Sequence, residues 1–403
     1  MSTIISPFRQ PRAVWVVAFA CVVSFMGIGL VDPILPALAD QLQASPSQVS
    51  LLFTSYLLVT AVAMLVTGWV SSRVGAKRTL IIGLTLIIVF AALAGAADSI
   101  GGIVGFRAGW GLGNALFIAT SLAVIVASAS GGLGGAIVLY ETALGVGIAF
   151  GPLLGGLLGA ASWRLPFYGV AVLMGVALVL VVVLVEKTPL PATKTSLSAP
   201  LRALRHRGLL TLSLMAFAYN WGFFTLLAYT PYPMDLGAHE LGLVFTGWGA
   251  MVAIFAVFGA PWLQARLGTV RSLYGSFALM AVDLLVIAVF TDSRTTLIVA
   301  VIAAGAMIGV NNTLVTQAVM TVSTQERPVA SSAYSFVRFL GGGLAPFAAG
   351  QLGDHFGLAV PFFVGAAALV VAGLILATGA RLVVEAEPER ELVPAAAVAE
   401  PVS

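Results

Sequence analysis

Five ionisable side chains lie inside long apolar runs of this chain: Asp32, Arg107, Glu141, Asp283 and Arg338. A charge at the centre of a bilayer costs about 2.5–3.5 kcal/mol even on lenient insertion scales, so each such group is a candidate for handling ions or solutes. Asp32 and Arg107 fall within about 10 Å of the same surface by helical rise, near enough to pair if they face each other. A proton taken up by Asp32 would then release Arg107, which is a way of coupling proton flow to shape. Glu141 has no evident partner at its depth and is the strongest candidate for proton exchange or cation binding; the plainer reading is a carboxyl hydrogen-bonded to a neighbouring helix. Arg338, at mid-depth, is a candidate anion-attracting group, and Asp283 is read as structural.

Aromatic and amide residues cluster in two further runs. Tyr219, Asn220, Trp221 and Phe224 in one, with Asn311 and Asn312 in another, describe apolar walls carrying a few polar groups, the makeup of a broad-specificity pocket. Together with Arg338 they are expected to line a substrate cavity. Trp69, Tyr229, Tyr232 and Trp262 lie near the ends of runs and are read as interfacial anchors. The three histidines (His206, His239, His355) fall in separate loops and Cys21 is the one cysteine, so no metal set, disulfide or catalytic constellation is expected. No Walker A fingerprint is present. The expectation is a protein that is not an enzyme and has no cofactor, with the proton as coupling ion.

These groups need helices that cross a membrane. The chain is 60% hydrophobic and 9% charged, whereas a soluble domain carries roughly 25% charged residues. Runs of about 20 apolar residues predict twelve spans near 14–36, 49–70, 79–97, 101–125, 136–160, 164–186, 208–230, 241–262, 272–291, 295–320, 329–352 and 358–380. The polar stretch 187–207 divides them into six and six, giving halves at 1–186 and 208–380 and a tail at 381–403 expected to be disordered. Fifteen of the nineteen Lys and Arg residues lie at the termini, in the linker, or in loops on the same side; Arg164 and Arg294 lie opposite, and Arg107 and Arg338 within spans. The positive-inside rule then puts both termini in the cytoplasm. The net charge of +3 sits in these short loops, a topology signal and not a nucleic-acid surface.

The fifth run carries the clearest architectural pattern. Gly147, Gly151, Gly155 and Gly159 are four apart and form one nearly side-chain-free ridge, with Pro152 in the middle and Glu141 near the start. Such a ridge admits another helix backbone at close range in lipid. It returns 194 residues later as Gly341, Ala345, Ala349 and Gly353, with Pro346 in place of Pro152 and Ser335 in place of Glu141. Ser72-Arg73-Val74-Gly75 likewise returns as Ala265-Arg266-Leu267-Gly268. Two related halves are the pattern of a secondary transporter with its site between them.

The motifs carry a family resemblance over nearly the whole chain. Gly68 through Arg78, including Arg73, Gly75 and Lys77, resembles the signature loop of the major facilitator superfamily; Arg107 through Gly113 resembles its fourth-helix motif, and Gly147 through Gly156 its fifth-helix antiporter motif. Gly27 through Pro36 is similar to drug exporters of the twelve-helix drug:proton antiporter branch. The resemblance implies an all-α membrane fold of two six-helix bundles, with Arg107 linked to protons and the glycine–proline helices as gates. The implied activity is proton-coupled export of amphipathic compounds by a monomer in the cell membrane; the alternative is export of one endogenous metabolite such as a siderophore, sugar or lipid. Where the family's signature loop has an acid this chain has Ser72, so the usual charge latch is not implied, although Arg73, Lys77 and Arg78 could still pair with Glu326.

Overall fold

The computed structural model describes residues 10–128, 132–186, 190, 194–323 and 327–386. Among these, every regular element is helical, and twelve rods dominate. In the first half they are α1 (Arg12–Gly29), α2 (Pro46–Val74), α3 (Ala76–Ala96), α4 (Ile100–Ser128), α5 (Gly132–Ala161) and α6 (Leu165–Leu184). The second half has α7 (Arg207–Tyr229), α8 (Ala238–Leu267), α9 (Thr269–Val289), α10 (Arg294–Val322), α11 (Arg327–Phe356) and α12 (Val360–Ala386). Ten of the described helices are long and apolar enough to cross a membrane. Val172, Val179 and Val183 on α6 are 66%, 62% and 71% exposed, as are comparable residues on α9 and α12, so the outer faces suit lipid and not water.

Local sequence explains the boundaries. Ser45 opens α2 with a capping box: its Oγ accepts from Gln48 N at 3.3 Å while Gln48 Oε1 accepts from Ser45 N at 2.9 Å. Gly75 and Gly268 close α2 and α8 at φ +88° and +80°, a backbone region in which a Cβ is strained, and each lets the chain turn at once into the next rod. α5 and α11 continue through Pro152 and Pro346. α8 contains a π-turn at Phe255–Gly259, where Thr313 Oγ1 donates to Ala256 O at 3.3 Å.

Three expectations change. The first span does not reach residue 36: α1 stops at Gly29, and Asp32 opens a short 3₁₀ turn, Asp32–Ile34, followed by a helix at Leu35–Gln41. Pro33 accounts for the break, since it lacks the N–H that would bond Gly29 O and its ring crowds that carbonyl. Pro36 sits in the first turn of the next helix, where a missing N–H is tolerated. Asp32 therefore belongs to a turn at a helix end and not to a span. The tail is helical as far as Ala386, and 387–403 lie outside the described residues. Tyr229 is no interfacial anchor, being 1% exposed and packed on Phe362 and Tyr232, each at a centroid distance of 5.7 Å.

Within each half the packing repeats: α1 lies on α5 and α2 on α4, as α7 lies on α11 and α8 on α10. The halves meet through α2 with α11 and α5 with α8. The end of α6 at Leu184 and the start of α7 at Arg207 lie on one face of the bundle, termed the linker face below; the opposite end is the far face.

Candidate functional site

The glycine ridge of α5 meets α1. A Cβ at Gly147 would lie 2.5 Å from Val22 O and one at Gly151 2.6 Å from Met26 O; Gly155 abuts Leu30 O and Gly159 abuts Ile34. From Gly147 to Gly151 a step of four on α5 meets a step of four on α1, and the same spacing continues past the end of α1 to Leu30 and Ile34. This requires near-parallel axes at small separation. On α11 the matching ridge meets α7, with Gly341 against Phe217 O and Gly353 against the Tyr229 ring. A second face of α5 joins the halves: a Cβ at Gly242 of α8 would lie 2.8 Å from both Gly156 Cα and Pro152 O, and one at Gly249 2.6 Å from Ala149 Cα. Gly350 of α11 approaches Ser47 of α2 in the same way, at 2.6 Å from its Cα. These inter-half contacts reach the far ends of the helices. Beyond them lies a cleft of about 470 Å³ bordered by Pro36 and Asp40 on one side and Tyr232 and Asp235 on the other.

Arg107 is wholly buried in the first half. Its Nε donates to Leu52 O at 3.4 Å, and its guanidinium lies 4.4 Å from the Tyr56 ring centre and 4.7 Å from that of Trp110. Aromatic faces on two sides stabilise a cation by quadrupole attraction where water is excluded. The side chains of Asp32 and Glu141, the other two expected proton-coupling groups, lie outside the described residues; the backbone of Glu141 is within α5. One further polar contact in this half, Ser24 Oγ to Asn114 Oδ1 at 2.6 Å, joins α1 to α4.

In the second half the expected cavity residues divide. Tyr219 Oη donates to Asn312 Oδ1 at 2.5 Å and its ring stacks on Phe277 at 6.0 Å. Tyr334 and Arg338 lie beside Tyr219, and the guanidinium of Arg338 is 5.3 Å from the Phe339 ring centre. Phe339 packs across the interface on the cluster formed by Ala63 and Met64 of α2 and Ala115 of α4. This brings Tyr219, Asn312 and Arg338 together at the centre of the molecule. Asn220 directs Nδ2 to Ala216 O of its own helix at 2.8 Å, which is a helix-internal contact. Asn311 is fully buried with neither amide atom bonded among the described residues. Trp221 packs on Phe217 and Phe224 on Phe223, at 6.2 and 4.5 Å. Asp283 sits on α9, which packs chiefly on α10 and α12.

The signature loop holds the linker. Ser72 Oγ accepts from Thr195 N at 3.2 Å and Arg73 Nη1 donates to Thr195 O at 3.2 Å. Gly68 also abuts Thr195, and Lys77 Nζ donates to Val182 O at 2.8 Å. Arg78 is exposed, and Glu326 lies outside the described residues. Arg73 stacks on Trp69 at 4.3 Å and its counterpart Arg266 on Trp262 at 5.0 Å, so the two tryptophans carry cations at equivalent places. Sequence reasoning missed Ser24, Asn114, Tyr56 and Thr195; of these only Asn114 adjoins a motif.

The fold and its inward-facing motifs are those of a membrane transporter, and the chain belongs to the Major Facilitator Superfamily, which it matches over residues 17–237 and 231–401. It is 56% identical over 370 residues to the multidrug efflux protein YfmO of Bacillus subtilis (strain 168), a match covering 92% of this chain and 93% of the relative. Among solved structures it resembles the human organic anion transporter MFSD10 (TM-score 0.72, 15% identity, 91% of this chain and 99% of that one). It also resembles a bacterial homologue of the human lysosomal transporter Spinster in an inward-facing, unoccupied conformation (TM-score 0.67, 17% identity, 93% and 96%).

Proposed function

We propose that this protein exports amphipathic organic compounds, drugs among them, across the cell membrane in exchange for protons, working as a monomer without a cofactor. The identity of 56% over nearly all of both chains with a multidrug efflux protein carries this reading. The architecture supports it: two rigid halves meet along side-chain-poor helix faces, which can part and re-form without unlocking side chains. Tyr219, Asn312 and Arg338 supply polar contacts for the solute. Arg107, held between aromatic rings, and Glu141 on α5 carry the proton side of the exchange. The linker face is the cytoplasmic face, given its Lys and Arg content.

Purified protein in lipid vesicles with an imposed pH gradient, offered cationic, neutral and anionic amphipathic compounds, tests this. Gradient-dependent movement of several unrelated compounds is expected. Movement of a single compound supports a dedicated metabolite exporter instead, and movement that ignores the gradient removes proton coupling.

A further inference from the structure

In each half a hydroxyl on the first helix donates to an asparagine on the fourth. Ser24 Oγ reaches Asn114 Oδ1 at 2.6 Å between α1 and α4, and Tyr219 Oη reaches Asn312 Oδ1 at 2.5 Å between α7 and α10. The match is positional as well as chemical. Gly147 abuts Val22 O, and Gly341, 194 residues on, abuts Phe217 O, which sets the α1-to-α7 offset at 195; Gly159 on Ile34 and Gly353 on Tyr229 return the same offset. At 195 residues Ser24 corresponds to Tyr219. Asn312 lies 198 residues beyond Asn114. The three extra residues are close to one helical turn, and the phenol is the longer arm that spans it.

In each contact the amide turns its Oδ1 toward the hydroxyl. With Oδ1 accepting from the hydroxyl, the NH₂ end holds two donors. Among the described residues neither Asn114 Nδ2 nor Asn312 Nδ2 donates to a protein acceptor, whereas Asn220 gives its Nδ2 to Ala216 O. Both pairs also border α11: Phe339 packs on the cluster of Ala63, Met64 and Ala115, the last being next to Asn114, while Tyr334 and Arg338 lie beside Tyr219. The amides thus flank one central segment from opposite halves.

We propose that Asn114 and Asn312 are equivalent hydrogen-bond donors to the transported compound, oriented by Ser24 and Tyr219. They favour solutes bearing a neutral acceptor, such as a carbonyl or ether oxygen, over solutes with none. This rests on the export reading above and names the substrate class for it. A solute without an acceptor leaves desolvated N–H groups unpaired, and that penalty is the source of the discrimination.

The test compares two probes in vesicles with an imposed pH gradient: chloramphenicol, neutral with an amide carbonyl, and tetraphenylphosphonium, which has no acceptor. In Asn114→Leu and Asn312→Leu the ratio of kcat/KM for chloramphenicol to that for tetraphenylphosphonium falls about tenfold, the scale of one hydrogen bond, through KM. Ser24→Ala and Tyr219→Phe keep the amides but free their orientation, and the ratio falls about threefold; these carry the test if a leucine variant does not fold. An unchanged ratio, or equal loss of kcat for both probes, makes the pairs helix clamps only and overturns the proposal. Wild-type protein that moves neither probe overturns the export reading, and the inference with it.

Discussion

The two halves share a scaffold and differ in chemistry. Both have a small-residue ridge facing their first helix, a tryptophan–arginine stack at the linker face, and a positive-φ glycine ending their second helix. They part where side chains do chemistry. The first half buries a guanidinium between two aromatic rings and carries Glu141 on its ridge helix. The second has Ser335 in the place of Glu141 and gathers uncharged phenols and amides beside Arg338. The packing scaffold has been kept twice, and the carboxyl group on the ridge helix is held once.

Four pairs of substitutions would break or sharpen that contrast. Glu141→Gln is expected to lower gradient-driven export by roughly 10²-fold or more, the scale of a lost acid–base group, while Ser335→Ala at the matching place keeps most of the rate; transport in vesicles reads both. Equal losses would erase the division of labour. Next, Gly151→Ala sets a Cβ 2.6 Å from Met26 O and should cost about 1–3 kcal/mol by overpacking. Ala345→Gly, its counterpart, should cost only about 1 kcal/mol through helix propensity; melting in detergent compares the two.

The far-face arginines give a smaller difference. Arg164 donates to Gly95 O, Ala97 O and Asp98, at 2.8, 2.6 and 2.8 Å, while Arg294, among the described residues, donates to Asp235 alone, through its backbone and side-chain oxygens at 3.1 and 3.3 Å. Arg164→Ala should therefore cost about 1–2 kcal/mol and Arg294→Ala less than about 1 kcal/mol, seen as a larger fall in Tm for the former. Smallest of all, Trp69→Leu and Trp262→Leu should each cost about 0.5–1 kcal/mol. A clear inequality between them, again in melting, would show that the two stacks are not equivalent.

Much of the architecture was legible because membrane helices announce themselves by length and apolarity, and because repeated spacings survive in the chain. The ridge glycines showed that something must approach closely; that it is α1, residue for residue, needs three dimensions. Asp32 was placed in a span because its surroundings are apolar, although Pro33 and Pro36 already signalled the break. The cage around Arg107 was hidden for a different reason: Tyr56 is fifty-one residues away and looks like any other buried aromatic. Ser24 was invisible because hydroxyls in helices commonly bond the carbonyl one turn back, as Thr67, Ser213, Thr230 and Ser272 do here. Nothing local separates those from a hydroxyl that reaches another helix.

The π-turn of α8 has a historical meaning. α8 is 30 residues long and α2, its counterpart, 29, and a π-turn is how a helix absorbs a single added residue without losing its axis. If the halves descend from one ancestral gene segment, an insertion after the duplication was accommodated here. Thr313 then took up the displaced carbonyl of Ala256. Arg266 still reaches Trp262 as Arg73 reaches Trp69 because both lie beyond the bulge, where the old register resumes. Relatives lacking that residue should have a shorter, regular eighth helix, and their branching would date the event.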